Sequence, residues 1–600
     1  MNKENLLKLR ILMEKNKIDA YLTVSTDPHQ SEYVPVQWQR NNFLTGFTGI
    51  YCRTVVTKKK AILWTDGKEE LKVKKELKGS AFKYFVKTLV TPDLNEEIAW
   101  IASELKNGGV IGVDPKIMTV LQMEALKETV AKQKGLSIKY TEENLIDIIW
   151  KDREAFPSDA ITIRNKKLEP VSVKKKLKIV ACELKKLGCD MHVVSNLESI
   201  ARTLNARASD VEYNQSVISY LILGLKESYW FVDKKRISQR SLSLLPNNLK
   251  IFTYESFGEK LKELSKNKTV LIDAGEVSEW TLNCIHNTAK IKKQTSPLTK
   301  LKAVKTPFEI KMMSNACLRD SLYLAQAIYW IKNEVKKRPV SEVEMADKVT
   351  EFKSKDKDYI ELSFETIVAY GKNAAIIHYE PKKIKKCSNI KNKGVLLIDC
   401  GAHFNDGTTD STRTISVGKC GKEEKQNYTR VLKGHLSLNM QKFPVGTRGY
   451  HLDAMARQYL WNQGLNYSHG TGHGVGYVTS VHETAGFGIT PLRPMFVEES
   501  MTFTNEPGYY KEGKYGIRIE NMVYVAKDKK LSSKSKKPFL KLEQMTYCPY
   551  ELELIDKTML NKEELIWINS YHKTVLHKLK KLSKDKTMTE WLKKACAPII

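Results

Sequence analysis

Hydrophobic and polar positions in the first half of the chain follow a repeated pattern, in which an amphipathic stretch precedes a short apolar run. The N-terminal stretch leads into an apolar run at 18–24, and another run at 61–66 is closed by a turn. A weaker echo lies at 187–194 and 270–275. Such runs beside amphipathic helices predict buried strands, so the simplest interpretation is two similar α/β units. Chance similarity between βα segments is the alternative.

The second half of the chain opens with a long helical pattern. Apolar positions spaced three or four residues apart predict a packed helix from Pro307 to Ile331. Short strands with glycine-rich turns are expected up to about Val525, followed from Phe539 by a lysine-rich helical region. The candidate apolar face of that region is formed by Leu565, Ile566, Ile568, Tyr571, Val575 and Leu576. The predicted domains are 1–155, 156–300, 301–535 and a C-terminal extension at 536–600.

Composition supports a globular protein of several domains. The 600 residues are 42% hydrophobic and 9% aromatic, which is sufficient for ordinary cores and excludes a disordered chain. The sequence contains no apolar run long enough to span a membrane, and the charged N-terminus does not resemble a signal peptide. Ten scattered cysteines without a CxxC pair are typical of reduced thiols, which predicts a cytoplasmic protein without a membrane partner.

The net charge of +30 is the unusual feature of the composition. It is compatible with a polyanionic partner. However, the lysine clusters are dispersed, mixed with acidic residues and not interleaved with aromatic residues, as expected for a solvated surface. No nucleic-acid partner is therefore expected. These clusters lie at 174–176, 382–386, 529–530 and 578–581.

Candidate chemistry begins with two aspartates in a predicted hairpin. An apolar strand from Val395 ends in Asp399, and the turn Asn405-Asp406-Gly407 leads back toward Asp410. With an even loop, Asp399 faces Thr412, and Asp410 lies diagonally on the same face at about 7–8 Å. Two buried carboxylates on one face require hydrogen bonds, a shared proton or cations, since neither tolerates burial alone. A turn-capping role for one of them is the alternative.

A glycine-rich segment supplies an imidazole. His469 and His473 are four residues apart, as in a helical zinc site, but the four glycines at 470–476 disfavour a helix and the HExxH glutamate is absent. Glycines allow close approach of the backbone, so we expect His473 on an extended chain beside a ligand. A structural histidine is the alternative.

Two further acids follow in the last strands of this region. Glu506 precedes a Pro-Gly turn, and an alternating strand at 515–525 places Arg518 and Glu520 opposite its apolar face. Together with the two aspartates and His473, these acids form a ligand set of hard oxygens with one nitrogen. Such a set suits two divalent ions, with Mn²⁺ favoured over a thiolate-type zinc site.

The order and spacing of these five residues resemble the dinuclear site of the pita-bread metallopeptidases, a family that includes methionine aminopeptidase, prolidase and aminopeptidase P. The strings around the site are similar to those of the cytosolic three-domain Xaa-Pro aminopeptidases, and the similarity extends to both N-terminal units. The resemblance implies two creatinase-like α/β units followed by an α+β pita-bread catalytic domain. The strings are those at 406–414, 469–476, 505–510 and 516–521, with 43–47 and 204–210 in the N-terminal units.

The resemblance also implies individual roles. The implied metal ligands are Asp399, Asp410, His473, Glu506 and Glu520, with Asp410 and Glu520 bridging both ions. Glu506 would be the general base, and His378 would be the proton shuttle and contact the substrate and oxyanion. His482 is assigned to catalysis and, with His469 and Arg518, to substrate binding; structural roles for the three histidines are the alternative. The resemblance also assigns Lys68 to substrate binding. Similar proteins often carry an arginine at this position, and the lysine keeps the charge but lacks the bidentate fork.

The implied activity is removal of the N-terminal residue from peptides with proline in the second position, by a homodimer. Two alternatives remain. A prolidase would cleave only dipeptides, but the extra α/β unit and C-terminal extension favour the three-domain aminopeptidase. A catalytically dead scaffold that binds protein or nucleic acid would account for the charge, but all five implied ligands are present.

Overall fold

The computed structural model describes residues 2–87, 94–105, 108–383, 387–483, 488–490 and 495–600, and it divides into two compact units, at 1–300 and 301–600. Within these ranges, none of the helices combines the length and the apolar character that crossing a bilayer requires.

The first unit contains two six-stranded mixed sheets. The strands of the first sheet are β1 (Ala20–Val24), β2 (Cys52–Thr57), β3 (Ala61–Asp66), β4 (Lys83–Lys87), β5 (Gly109–Val113) and β6 (Leu136–Tyr140). Its helices are α1 (Asn2–Lys15), α2 (Arg40–Thr45), α3 (Glu70–Glu76), α4 (Asn95–Glu104), α5 (Val120–Ala131) and α6 (Leu145–Ile149). Alternate side chains of β1 face different clusters of buried apolar residues, because helices cover both faces.

The second sheet follows with its own helices. Its strands, with the short pair β7 and β9, are β7 (Thr162–Ile163), β8 (Met191–Val194), β9 (Ala206–Arg207), β10 (Tyr220–Gly224), β11 (Ser228–Phe231), β12 (Leu249–Phe252), β13 (Thr269–Ile272) and β14 (Lys290–Lys293). The helices are α7 (Val173–Lys186), α8 (Leu197–Leu204), α9 (Gln239–Leu242), α10 (Phe257–Ser265), α11 (Glu279–Asn283) and α12 (Pro297–Ala303), the last of which reaches the second unit.

The two sheets have the same topology. The strand orders are β4-β3-β2-β1-β5-β6 and β12-β11-β10-β8-β13-β14, and corresponding neighbours are parallel or antiparallel in the same way. The two halves also exchange reciprocal backbone hydrogen bonds, from Glu279 N to Met118 O (2.9 Å) and from Val120 N to Val277 O (3.0 Å). The predicted pair of similar α/β units is therefore confirmed, and chance similarity does not account for the echo.

The second unit is α+β. Its helices are α13 (Pro307–Glu334), α14 (Glu342–Ser354), α15 (Lys422–Met440), α16 (Gly449–Trp461), α17 (Lys529–Ser535), α18 (Lys562–Leu582) and α19 (Lys586–Ala595). Its strands are β15 (Val340–Ser341), β16 (Tyr359–Leu362), β17 (Ile367–Tyr370), β18 (Asn389–Ile390), β19 (Val395–Cys400), β20 (Ala402–Phe404), β21 (Gly407–Thr408), β22 (Ser411–Ser416), β23 (Lys442–Pro444), β24 (Gly472–His473), β25 (Gly488–Ile489), β26 (Thr502–Asn505), β27 (Gly508–Lys511), β28 (Tyr515–Arg518), β29 (Asn521–Lys527) and β30 (Phe539–Gln544). A large apolar cluster joins α13, α14, α15 and α18 to the sheet β17-β19-β22.

Three sequence predictions for this unit are wrong in part. The region predicted to hold only short strands also contains α14, α15 and α16. Helix α15 has no continuous apolar stripe, because its buried face includes Asn427, Thr429, His435 and Asn439. The predicted strand at 515–525 is broken between β28 and β29, which belong to different sheets.

The third wrong prediction concerns the region from Phe539, expected to be helical throughout. It begins with strand β30, whose Leu540 and Leu542 alternate inward. On α18, Ile568, Tyr571 and Val575 are buried as predicted, whereas Ile566 is exposed. The many lysines of this region hid the alternation of apolar and polar residues that indicates a strand.

Arg413 connects β22 to the C-terminal segment. Its fully buried guanidinium donates to Thr412 O (2.8 Å) and Glu520 O (2.6 Å), and also to Cys548 O (2.7 Å) and Pro549 O (3.0 Å). One side chain therefore donates hydrogen bonds to four buried backbone carbonyl groups.

We expect Arg413→Lys to lower the free energy of unfolding by about 3 kcal/mol, because a lysine ammonium cannot reach all of these acceptors. Chemical denaturation followed by fluorescence measures the change. As the control, Arg338→Lys alters an arginine on the surface, paired with Glu334 and Glu344, and should change stability by less than about 0.5 kcal/mol. Equal effects of the two substitutions would contradict this assignment.

Candidate metal centre

The two aspartates are brought together by the predicted hairpin. Asp399 on β19 pairs with Thr412 on β22, in the register expected from the turn, and Asp410 lies immediately before β22. The turn itself is fixed by Arg319, which donates to both oxygens of Asp406 at 2.9 and 2.7 Å. The turn of the hairpin therefore determines where the carboxylates of Asp399 and Asp410 lie.

His473 lies on the short strand β24, as the glycine-rich segment predicts. A Cβ at Gly472 would overlap Thr504 O, so the neighbouring strand approaches only because this residue is glycine. The imidazole Nδ1 lies 3.0 Å from Gly474 O. Since a carbonyl only accepts, Nδ1 carries the proton and Nε2 presents a lone pair. Nε2 lies 3.4 Å from both Asp410 Oδ2 and Glu506 Oε1.

The two glutamates are placed where strands end. Glu506 follows β26, and Thr504 Oγ1 donates to its Oε1 at 3.1 Å. Glu520 occupies the break between β28 and β29, where its backbone N–H donates to Thr412 O (3.1 Å). Thr412 Oγ1 in turn donates to Glu520 Oε2 at 2.7 Å. The break thus turns Glu520 toward the aspartate hairpin.

These side chains converge on one point. One ligand atom from each of Asp410, His473 and Glu520 lies within 4.8 Å of the other two, and Glu506 contacts the same imidazole nitrogen. Asp399 lies on the neighbouring strand, and among the described residues its buried Oδ1 has no hydrogen-bond partner. An orphaned carboxylate oxygen beside four other donors fits a site for divalent cations.

The electrostatics of the cluster favour the same interpretation. Burial, followed by repulsion from Asp399 and Glu506, raises the pKa of Asp410 well above its ordinary value. Burial, followed by repulsion from Asp410 and Glu506, raises the pKa of Glu520 in the same way. Without a cation these groups favour protonation, whereas a bound divalent ion would stabilise their ionised forms.

Arg518 lies beside this cluster. The sequence predicts it to bind substrate, but its buried guanidinium contacts Asp399 Oδ2 at 2.5 Å and donates to the Tyr510 hydroxyl at 2.7 Å. The same hydroxyl contacts His469 Nε2 at 2.8 Å. These contacts describe a residue that orients Asp399 and His469, and its contact with substrate stays a prediction.

The predicted histidines lie in the same unit. His469 is buried, and desolvation, with the positive charge of Arg518, holds its pKa well below the ordinary value. The half-buried His482 packs edge-on against His473, with ring centroids 4.2 Å apart. His378, also half-buried, follows Ile377, whose carbonyl lies 3.5 Å from Arg518 Nη2.

Lys68 belongs to the other compact unit. Its ammonium lies 3.6 Å from Asp66 Oδ2. Burial opposes the charge, but Asp66, Glu32 and Glu69 outweigh burial and raise the pKa of Lys68. Lys68 is thus a paired cation, and its substrate role stays a prediction.

Sequence reasoning missed several supporting residues. The Tyr510 hydroxyl is hydrogen-bonded to His469, and Thr504 donates to Glu506. Arg457 donates to Tyr467 O (2.7 Å) and His469 O (2.5 Å). Tyr510 lay inside one of the motif strings, and Thr412 was already placed opposite Asp399. Arg457 gave no signal, since it lies on α16, which the sequence pattern did not reveal.

The fold and the site define the class of this protein. A pita-bread α+β domain that gathers carboxylates and one imidazole after two creatinase-like units is the architecture of a metallopeptidase. Family models agree along the chain: "Metallopeptidase family M24" matches residues 311–527, and "C-terminal region of peptidase_M24" matches 538–599. "Creatinase/Prolidase N-terminal domain" models match 6–145 and 152–309.

Full-length relatives narrow this class. A probable Xaa-Pro aminopeptidase P of Paracoccidioides brasiliensis is 35% identical over 99% of both chains. The crystal structure of X-prolyl aminopeptidase from Caenorhabditis elegans, described as a cytosolic enzyme with a di-nuclear active site, has a TM-score of 0.94 at 33% identity and covers 100% of both chains. The Xaa-Pro dipeptidase of Bacillus anthracis shares the fold, with a TM-score of 0.51 at 23% identity over 64% of this chain and 99% of its own. The chain belongs to the Xaa-Pro aminopeptidase P family.

The buried acids give a prediction for the metal-free protein. Because the folded-state pKa of Asp410 and Glu520 is raised, their contribution to stability is present below the ordinary carboxyl pKa and is lost as pH rises through the raised value. Thermal melting of chelator-treated protein should therefore show a steeper loss of stability with rising pH than melting of Asp410→Asn. Divalent ions at 100 times their Kd should stabilise the wild type by about 2.7 kcal/mol.

Asp410→Asn serves as the matched variant, because it keeps the shape of the side chain and removes one charge. Without metal, and at a pH above the raised pKa of Asp410, it should melt at a higher temperature than the wild type. Added divalent ions should stabilise it much less. If metal stabilised both proteins equally, Asp410 would not be a ligand.

Proposed function

We propose that this protein is a metal-dependent aminopeptidase that releases the N-terminal residue from peptides with proline in the second position. The proposal is carried by the convergence of Asp410, His473 and Glu520 in a chain that aligns from end to end with Xaa-Pro aminopeptidases. We further propose Asp399, Asp410, His473, Glu506 and Glu520 as the ligands of two divalent ions. The oxygen-rich set favours Mn²⁺.

Divalent ions bound here would supply Lewis acidity for the scissile carbonyl and would lower the pKa of the attacking water. Glu506 is the general base in this proposal. Thr504 holds its Oε1 by a hydrogen bond at 3.1 Å, and His469 Nδ1 lies 3.9 Å from its Oε2. A carboxylate oriented by the Thr504 hydrogen bond can take a proton from water and pass it to the leaving nitrogen.

Histidines act on the substrate in this proposal. His378 donates to the oxyanion that develops on the scissile carbonyl, while His482, packed on His473, contacts the peptide. An X-Pro bond has no N–H on its leaving side, so a site for it recognises the ring by shape.

The location and assembly of the protein complete the proposal. We propose a cytoplasmic homodimer, consistent with the scattered free cysteines and with the description of the Caenorhabditis elegans relative as cytosolic. No observation of the described residues favours the dipeptidase or the catalytically dead scaffold.

Substitution of the general base tests the chemistry. We expect Glu506→Gln to lower kcat on a Xaa-Pro-Pro tripeptide by about 10²–10⁴-fold, with release of the first amino acid as the measured signal. The control is Glu512→Gln, which changes the same chemical group on the exposed turn between β27 and β28 and should leave kcat unchanged. A buried position such as Asn439 would not be a suitable control, because a substitution there would also affect the core.

Peptide length separates the candidate activities. The aminopeptidase should cleave the tripeptide at least as well as the Xaa-Pro dipeptide, whereas a prolidase would cleave only the dipeptide. Cleavage of neither peptide by metal-loaded protein, or full activity of Glu506→Gln, would contradict the proposal.

A further inference from the structure

The segment that carries His378 is held by a buried carboxylate on a neighbouring helix. Glu342, the first residue of α14, is fully buried and lies far from the five proposed ligands in sequence. We propose that Glu342 and Tyr379 are positioning residues that fix His378 at the metal centre. This inference rests on the proposed role of His378 in the aminopeptidase reaction.

Glu342 accepts hydrogen bonds from both ends of the segment. Its Oε1 accepts from Tyr370 N at 2.7 Å, and its Oε2 accepts from the Tyr379 hydroxyl and from Ser388 N, each at 2.6 Å. Asn373 Nδ2 lies 3.1 Å from each carboxylate oxygen. A single carboxylate group thus ties together Tyr370, Asn373, Tyr379 and Ser388. Hydrogen bonds to a buried charge are among the strongest in proteins, and the N-terminus of α14 favours this charge.

Tyr379 brings this network next to the catalytic side chain. It is the residue after His378, its phenol is buried, and its hydroxyl also accepts from Asn373 Nδ2 at 2.8 Å. Because hydrogen bonds hold the Tyr379 hydroxyl, the direction of the Tyr379 backbone is fixed. The position of the adjacent His378 Cα is fixed with it. The neighbouring histidine needs no direct contact with Glu342 for its position to depend on that carboxylate.

The segment also packs against β28. A Cβ at Gly516 would overlap Ala374 O, so the short helix Gly371–Ala375 packs directly on the strand backbone. Arg518 of the same strand approaches Ile377 O at 3.5 Å and contacts Asp399. The segment is therefore held both by Glu342 and by the strand that orients a proposed ligand.

This arrangement predicts an effect on turnover. His378 is proposed to act where charge develops in the transition state, so a shift in its position lowers kcat more than it changes KM. Tyr379→Phe removes only the hydroxyl and keeps the ring in the core. Asn373→Ala weakens the same network from another position.

The test is a double-mutant cycle on metal-loaded protein with a Xaa-Pro-Pro peptide. We expect Tyr379→Phe to lower kcat by about tenfold to a hundredfold with little change in KM, because a displacement of about 1 Å costs up to 10²-fold. In a His378→Ala background the same substitution should lower kcat by less than about twofold. Asn373→Ala should show the same coupling.

Tyr140→Phe is the matched control, since it removes a phenol that donates to the buried Glu279 in the first unit (2.8 Å), and it should leave kcat unchanged. If Tyr379→Phe and Asn373→Ala each lower kcat equally with and without His378, or leave it unchanged, the positioning role is overturned. Full activity of His378→Ala would instead refute the role of His378 in the proposed function. Metal content and melting temperature verify that each variant is folded, and Asn373→Ala decides the outcome if Tyr379→Phe is not.

Discussion

Mutual repulsion of buried carboxylates is the constraint on which the second unit depends. Asp410 and Glu520 are almost completely buried, and Asp399 and Glu506 lie close enough to raise their pKa values. Carboxylates in such a place must be protonated, hydrogen-bonded or neutralised by cations. Arg518 compensates the charge of Asp399. Thr412 donates a hydrogen bond to Glu520, and Thr504 donates one to Glu506. Divalent cations would supply the remaining positive charge. The stability of the buried acid cluster therefore depends on bound ions.

The surrounding fold holds these acids in place despite their repulsion. Each acid lies at a turn, a strand end or a strand break, where the backbone is fixed by contacts distant in sequence. Arg413 is the clearest case, because it binds the backbone of Glu520 and also the carbonyl oxygens of Cys548 and Pro549. The C-terminal segment thus contributes to the position of a proposed ligand. A site built in this way resists distortion at the cost of many buried polar groups.

Sequence predicted those features that local geometry determines. The pairing of Asp399 with Thr412 could be predicted because a tight turn fixes the register of a hairpin, and His473 could be placed on an extended chain because glycines exclude a helix. The break before Asn521 could not be predicted, since it depends on the hydrogen bond from Glu520 N to Thr412 O, more than a hundred residues away. Helix α15 could not be predicted for a related reason. Its buried face includes His435 and Asn439, whose hydrogen-bond partners are distant in sequence, so the helix lacks an apolar stripe.

Anomalous scattering from crystals grown with Mn²⁺ would show whether the acids and the imidazole hold two cations. We expect two peaks about 3.5–4 Å apart, with Asp410 and Glu520 contacting both and His473 contacting one. A single peak, or peaks away from these side chains, would contradict it.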